Sequence, residues 1–81
     1  MLVSVRMFAR LRELTGASEL ARELPEGATV ETLWRRLACE FPPIAEYERS
    51  VSCAVNEEYA RLTTPLNEGD EVAFLPPVSG G

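Results

Sequence analysis

Apolar and polar residues alternate from the second position onward, the two-residue period of a strand with one buried face. Across Leu2 to Phe8, residues Val3, Val5 and Met7 fall on one face, and Leu2, Ser4, Arg6 and Phe8 on the other. The period then changes. In Ala9-Arg10-Leu11-Arg12-Glu13-Leu14-Thr15-Gly16 the two leucines stand three apart, which predicts a short helix, and Gly16 suits a left-handed C-terminal cap. Glu19 to Leu24 returns to alternation, with Leu20, Arg22 and Leu24 sharing a face, and Pro25-Glu26-Gly27 turns the chain.

The clearest periodic signal comes next. Val30, Leu33, Trp34, Leu37 and Phe41 follow the stripe of a 3.6-residue helix, with Thr29 as N-cap, Glu31 in the first turn and Pro42-Pro43 as the stop. Ile44 to Ser50 reads as an irregular stretch. Val51 to Val55 predicts a third strand with Val51, Cys53 and Val55 inward, Asn56-Glu57-Glu58 a turn, and Tyr59 to Leu62 a short edge strand. After a loop over 65–70, in which Asp70 shapes the turn, Glu71 to Leu75 forms the last strand. Strand, short helix, strand, long helix, then several short strands is an α+β order. It predicts a mixed sheet packed on one main helix, with the first and last strands as central neighbours: the β-grasp arrangement. Residues 1–75 make the domain, and 76–81 a tail.

Composition narrows the possible chemistry. A chain of 81 residues has room for one core and little left to wall off a deep pocket. With 46% hydrophobic and 26% charged residues it is too apolar to be disordered. No apolar run approaches the ~20 residues of a membrane span, and the cationic-then-apolar layout of a signal peptide is missing. A cytoplasmic protein with no membrane partner is expected. The net charge of −5 argues against nucleic acid as a partner. Histidine is absent, which removes Ser-His and Cys-His catalysis and the commonest metal ligand. Cys39 and Cys53 fit neither a redox pair nor a structural zinc site, and both are expected to be small buried hydrophobes. Glu57-Glu58 reads as turn residues rather than paired catalytic carboxylates. All eight basic residues are arginine, so no lysine here can accept an isopeptide bond and self-linked polymers through lysine are excluded.

With side-chain chemistry this sparse, the tail draws attention. Pro76-Pro77-Val78-Ser79-Gly80-Gly81 carries no charged side chain. Two prolines hold its root in polyproline geometry, and at ~3.1 Å per residue the tail reaches roughly 19 Å from the last strand. Such a tail can thread a narrow channel and present a terminal carboxylate. A carboxylate is a poor electrophile until activated, commonly as an acyl-adenylate, and its acyl carbon must then be open to an in-line nucleophile. A Cβ on either of the last two residues would crowd that line; Gly80 and Gly81 leave it clear.

Three segments carry a resemblance: Phe8-Ala9-Arg10-Leu11-Arg12-Glu13-Leu14-Thr15-Gly16, Ala54-Val55-Asn56, and the run from Leu66-Asn67-Glu68-Gly69-Asp70-Glu71-Val72-Ala73-Phe74-Leu75 through Pro76-Pro77-Val78-Ser79-Gly80-Gly81. Together they resemble the small subunit of molybdopterin synthase, a ubiquitin-like sulfur-carrier family, along the whole chain. The resemblance implies a non-catalytic sulfur-donor subunit that cycles between two partners. A ubiquitin-activating-type adenylyltransferase adenylates Gly81, and a sulfur donor converts it to a thiocarboxylate. The tail then enters the large synthase subunit, where the sulfur goes to the cyclic pyranopterin precursor of molybdopterin. Two carriers flank a dimer of the large subunit. ATP and metal belong to the partners, so no cofactor or metal is expected on this chain. Relatives often carry an aromatic at the position of Leu75 and an aliphatic residue near Tyr59.

Strand alternation offers a docking face independently. If Val72 and Phe74 point inward, Glu71, Ala73 and Leu75 point out. Phe8 and Leu75 would then share an exposed patch with Tyr59 nearby, and large apolar side chains of this kind anchor interfaces. Arg10 and Arg12 read as solvated helix charges or as partners for acidic groups. Two other functions use the same tail: a thiamin-pathway sulfur carrier and a ubiquitin-like protein modifier. A binding domain with an inert tail is the remaining possibility.

Overall fold

The computed structural model describes residues 1–77, organised on one mixed sheet. In chain order the elements are β1 (Leu2–Met7), α1 (Ala9–Thr15), β2 (Glu19–Glu23), α2 (Val30–Glu40), a 3-10 helix (Pro42–Tyr47), β3 (Ser52–Val55), β4 (Glu58–Ala60) and β5 (Glu71–Leu75). The strand order is β2-β1-β5-β3-β4, so the first and last strands are central neighbours, as the sequence predicts. They run parallel, in register from Ser4 opposite Glu71 to Met7 opposite Phe74. The other three pairings are antiparallel.

The inward residues of β1 and β5 are fully buried: Val3, Val5 and Met7 on one, Val72 and Phe74 on the other. Against them packs the stripe of α2, made by Val30, Leu33, Trp34 and Leu37. The Trp34 and Phe74 rings meet at 5.0 Å between centroids with a tilt of 58°, within the favourable range for aromatic pairs. Thr29 caps the helix through a reciprocal box with Thr32, each side chain bonding the other's backbone N–H. Gly16 closes α1 at φ +75° and donates its N–H to the Arg12 carbonyl, as its C-cap role requires.

Two expectations are overturned. Cys39 is exposed and only Cys53 is buried. Two residues beyond Leu37, a helical side chain has rotated by about 200°, so Cys39 faces solvent. The Cys53 thiol is inward on β3, donates to the Ala60 carbonyl at 3.3 Å, and is pushed up by burial away from its reactive thiolate form. The stretch after Phe41 is not irregular: Pro42–Tyr47 is a 3-10 helix with Ile44 fully buried. The prolines that stop α2 sit where the next helix has no use for an N–H donor, so they open it. The strand limits elsewhere differ from expectation by one or two residues, as strand ends commonly do.

The β3–β4 turn passes through Asn56 and Glu57 at φ +52° and +70°. That suits a two-residue hairpin, although a β-carbon at Glu57 costs about 1 kcal/mol. Asn56 offsets this by tying the turn to β5. Its amide donates to Asp70 at 2.9 Å, and its oxygen accepts the Glu71 N–H at 3.0 Å. Asp70 also accepts the Asn67 N–H at 2.8 Å, which is the turn-shaping role expected of it.

The sheet edge and the helix are joined by charge. Arg22 on β2 donates its Nε–H to both Glu40 oxygens, at 2.9 and 3.1 Å, and Arg36 approaches the same carboxylate at 3.7 Å. The hydrogen bond from Arg22 holds the Glu40 carboxyl below its ordinary value against the opposing effect of burial, and the charges of Arg22 and Arg36 add smaller pulls in the same direction. A depressed carboxyl stabilises the fold above its unfolded value of 4.5 and loses that contribution as pH falls through the folded value. Solvent reaches Glu40, so the contribution is at most about 1 kcal/mol. The melting-temperature difference between wild type and Glu40→Gln should therefore be level above pH 5 and shrink below about pH 4.5. A difference that grew on acidification would contradict the pairing.

Candidate functional site

The β1–β5 ladder ends at Met7 and Phe74, and the next residues, Phe8 and Leu75, mark where the two strands part. Phe8 is still extended, at φ −121° and ψ 151°. Ala9 is not: its φ of +50° turns the chain sharply into α1. A non-glycine residue in this region is strained by about 1 kcal/mol. The turn stops β1 from following β5 further. Beyond Leu75 the tail root Pro76–Pro77 leaves the sheet with no strand on its β1 side.

The space so made is a groove of about 530 Å³ lined by Phe8, Ala9, Arg10, Tyr47, Leu75, Pro76 and Pro77. Its surface is largely apolar, with cations at the rim. The Arg6 guanidinium lies 5.6 Å from the centre of the Phe8 ring. Arg10 donates to Glu13 at 3.1 Å, and its pKa is raised first by that bond and then by the Tyr47 hydroxyl.

Phe8 and Leu75 are thus brought together, with Leu75 37% exposed. Tyr59 is not part of this groove. It belongs to the outer row Glu19–Arg6–Ala73–Ala54–Tyr59, which crosses the whole sheet, and lies on β4 three strands from β1, roughly 15 Å away at normal strand spacing. At 91% exposed it shares the outer face with Phe8 and Leu75 but borders a separate depression beside Asn56, Pro65 and Asp70. The small side chains Ser52, Ala54 and Ala73 lie between, on β3 and β5. Pro76 and Pro77 are at the groove; Val78, Ser79, Gly80 and Gly81 lie outside the described residues.

Tyr47 is the groove residue that sequence reading missed. Ile44 and Tyr47 stand three apart behind two prolines, the spacing of one 3-10 turn, and that was the available signal. Among the described residues no three His, Cys, Asp or Glu side chains stand close enough to hold a metal ion, and no helix is long and apolar enough to cross a membrane. What the arrangement can do is bind an apolar partner surface at the root of the tail.

Comparison with known proteins bears on the family and the fold. Residues 5–81 match the ThiS family. The molybdopterin synthase sulfur carrier subunit of Arabidopsis thaliana is 39% identical over 79 residues, covering 98% of this chain and 82% of that protein. Its Escherichia coli counterpart is 39% identical over 84 residues, covering 99% and 100%. Among solved structures, SAMP1 from Haloferax volcanii superposes with a TM-score of 0.86 at 27% identity, each chain covered in full. The complex of subunits 1 and 2 of molybdopterin-converting factor from Helicobacter pylori contains a chain that matches at TM-score 0.69 and 28% identity, again with full coverage. A ubiquitin-like β-grasp sheet carrying a Gly-Gly ending and matched over its full length by these carriers belongs to the ThiS family, among the molybdopterin synthase sulfur carrier subunits.

Proposed function

We propose that this chain is the sulfur-carrying small subunit of a molybdopterin synthase and that residues 76–81 form its working tail. The observation that carries the reading is the placement of Pro76 and Pro77 directly after the central strand β5, beside an apolar groove, in a chain ending Val78-Ser79-Gly80-Gly81. In the first step a Gly81 carboxylate oxygen attacks the α-phosphate of ATP on a ubiquitin-activating-type adenylyltransferase, and pyrophosphate leaves. A sulfur nucleophile at the oxidation level of sulfide then attacks the acyl carbon and expels AMP, leaving a thiocarboxylate. On the large synthase subunit the thiocarboxylate sulfur attacks a carbon of the pyranopterin precursor and displaces an oxygen leaving group there. Water then cleaves the acyl–sulfur bond, leaving the sulfur on the precursor and restoring the Gly81 carboxylate. Gly80 and Gly81 leave the acyl carbon open to attack. Pro76, Pro77, Val78 and Ser79 span the channel into the partner. The reaction takes place in the cytoplasm, with two carriers on a dimer of the large subunit.

Intact-mass analysis tests this directly. After incubation with the adenylyltransferase, ATP and a sulfide source, the chain should gain the mass difference of one oxygen exchanged for one sulfur. An unchanged mass with a competent enzyme would sink the reading.

Phe8, Leu75 and Tyr59 form the docking face for the large subunit. Phe8→Ala and Leu75→Ala should each weaken that complex roughly tenfold, as expected for apolar anchors at an interface, with melting temperatures close to wild type. Tyr59→Ala extends the test to the far edge of the sheet. Calorimetric titration at wild-type affinity for all three would move the interface elsewhere.

A protein-modifier role is a second reading, favoured by one observation: the TM-score of 0.86 to a protein called a small archaeal modifier. Conjugates carrying the chain on target lysines, found by mass spectrometry of lysates, would establish it.

A further inference from the structure

We propose that Tyr47 is a positioning residue that aims the C-terminal tail, acting through the packing of its ring beside the tail root. The inference rests on the carrier reading and deepens it. The tail carries no charged side chain and ends in two glycines, so a direction given to it where it leaves the domain matters for its end. At that point the sheet gives little help. The β1–β5 ladder stops at Met7 and Phe74, the turn at Ala9 takes the chain away from β5, and neither proline has an N–H to offer. Side-chain packing remains. Phe8 stands at one side of Pro76–Pro77, and Tyr47, projecting from the end of the 3-10 helix, completes the groove.

Tyr47 is held well enough for this task. Its helix is anchored by the fully buried Ile44, and Tyr47 itself is half-buried and packed against the core. Chain hydrogen bonds continue from it, with Ser50 and Val51 donating their N–H groups to the Tyr47 carbonyl at 3.0 and 2.8 Å. At the other side Arg10 is itself fixed to Glu13 at 3.1 Å. Arg10 from α1 and Tyr47 from the 3-10 helix thus line the same groove from two sides, beside the tail root. Such a device acts on presentation of the terminal carboxylate more than on docking, because displacements near 1 Å cost about a hundredfold in rate when reacting groups must align.

The experiment is steady-state adenylation, read as pyrophosphate released by the adenylyltransferase with varied carrier. Tyr47→Ala should lower kcat about tenfold with the KM for carrier within about twofold of wild type, and Tyr47→Phe, which keeps the ring, should recover most of kcat. Tyr47→Leu, which keeps apolar volume without a flat ring, serves if the alanine variant does not fold, and it should share the low kcat. A melting curve accompanies each variant. A rise in KM at constant kcat would overturn the proposal in favour of simple docking, and unchanged kinetics for both truncating variants would overturn it outright. A kcat loss that Tyr47→Phe does not recover would also overturn it. Failure of the wild-type chain to release pyrophosphate would instead remove the carrier reading itself, so the two failures are distinguishable.

Discussion

A chain lacking Gly80-Gly81 should fold as the full chain does and acquire no sulfur at all. The core runs from Val3 to Phe74, and β5 ends at Leu75, so the deletion leaves every core and strand residue in place. Changes of this kind shift stability by no more than about 0.5 kcal/mol. The reactive end is another matter. Removing two residues draws the carboxylate back by roughly 6 Å in an extended tail, far more than an aligned reaction tolerates. It also puts Ser79 at the terminus, with a side chain beside the acyl carbon. Extending the chain beyond Gly81 should be equally disabling, since the carboxylate is displaced outward and Gly81 becomes an unreactive amide. Mass analysis after incubation with activating enzyme, ATP and sulfide reads both variants. Sulfur uptake by either one would show that some other group does the work.

Replacing Trp34 by alanine should have the largest effect on stability. Trp34 is fully buried, faces Phe74 on β5, and joins the main helix to the centre of the sheet. Truncating a buried tryptophan costs about 3–5 kcal/mol, a large share of the 5–15 kcal/mol typical of whole domains. For a domain of this size that lowers the melting temperature by more than about 10 °C. Trp34→Phe should cost far less, about 1 kcal/mol, for a specific reason. The indole N–H is buried with no acceptor among the described residues, so phenylalanine removes an unsatisfied donor along with the lost volume. Denaturant titration separates the two variants. A cost below about 1 kcal/mol for the alanine variant would mean that α2 does not seat on β5.

The contrast between these residues and Tyr47 explains what was legible in the sequence. Val3, Val5 and Met7, or Val30, Leu33, Trp34 and Leu37, repeat with the period of their element, so burial follows from spacing alone. The order of elements suggests the pairing of β1 with β5 without fixing it. Phe8 and Leu75 were legible for a related reason: each continues the outward face of a central strand. Tyr59 was expected near Phe8, but its distance from Phe8 depends on strand order rather than alternation. Cys39 was misread because general burial statistics were applied to a position whose helical phase already pointed to solvent. The 3-10 helix was hidden behind Pro42-Pro43, since the same prolines that end one helix also open the next. The Ala9 turn had no sequence signal, because alanine rarely adopts a positive φ and only the surrounding packing holds it there.

The position of β5 also has a mechanical consequence. The strand that bears the tail is flanked by β1 on one side and β3 on the other. Its ladder bonds lie across the direction of the strand. A partner that grips the tail and draws it into a channel therefore pulls along β5, loading both ladders in shear so that many bonds resist together. An edge strand pulled from its end would peel one bond at a time. Seating the tail on the middle of the sheet lets it be tugged, threaded and released repeatedly without unravelling the domain that carries it.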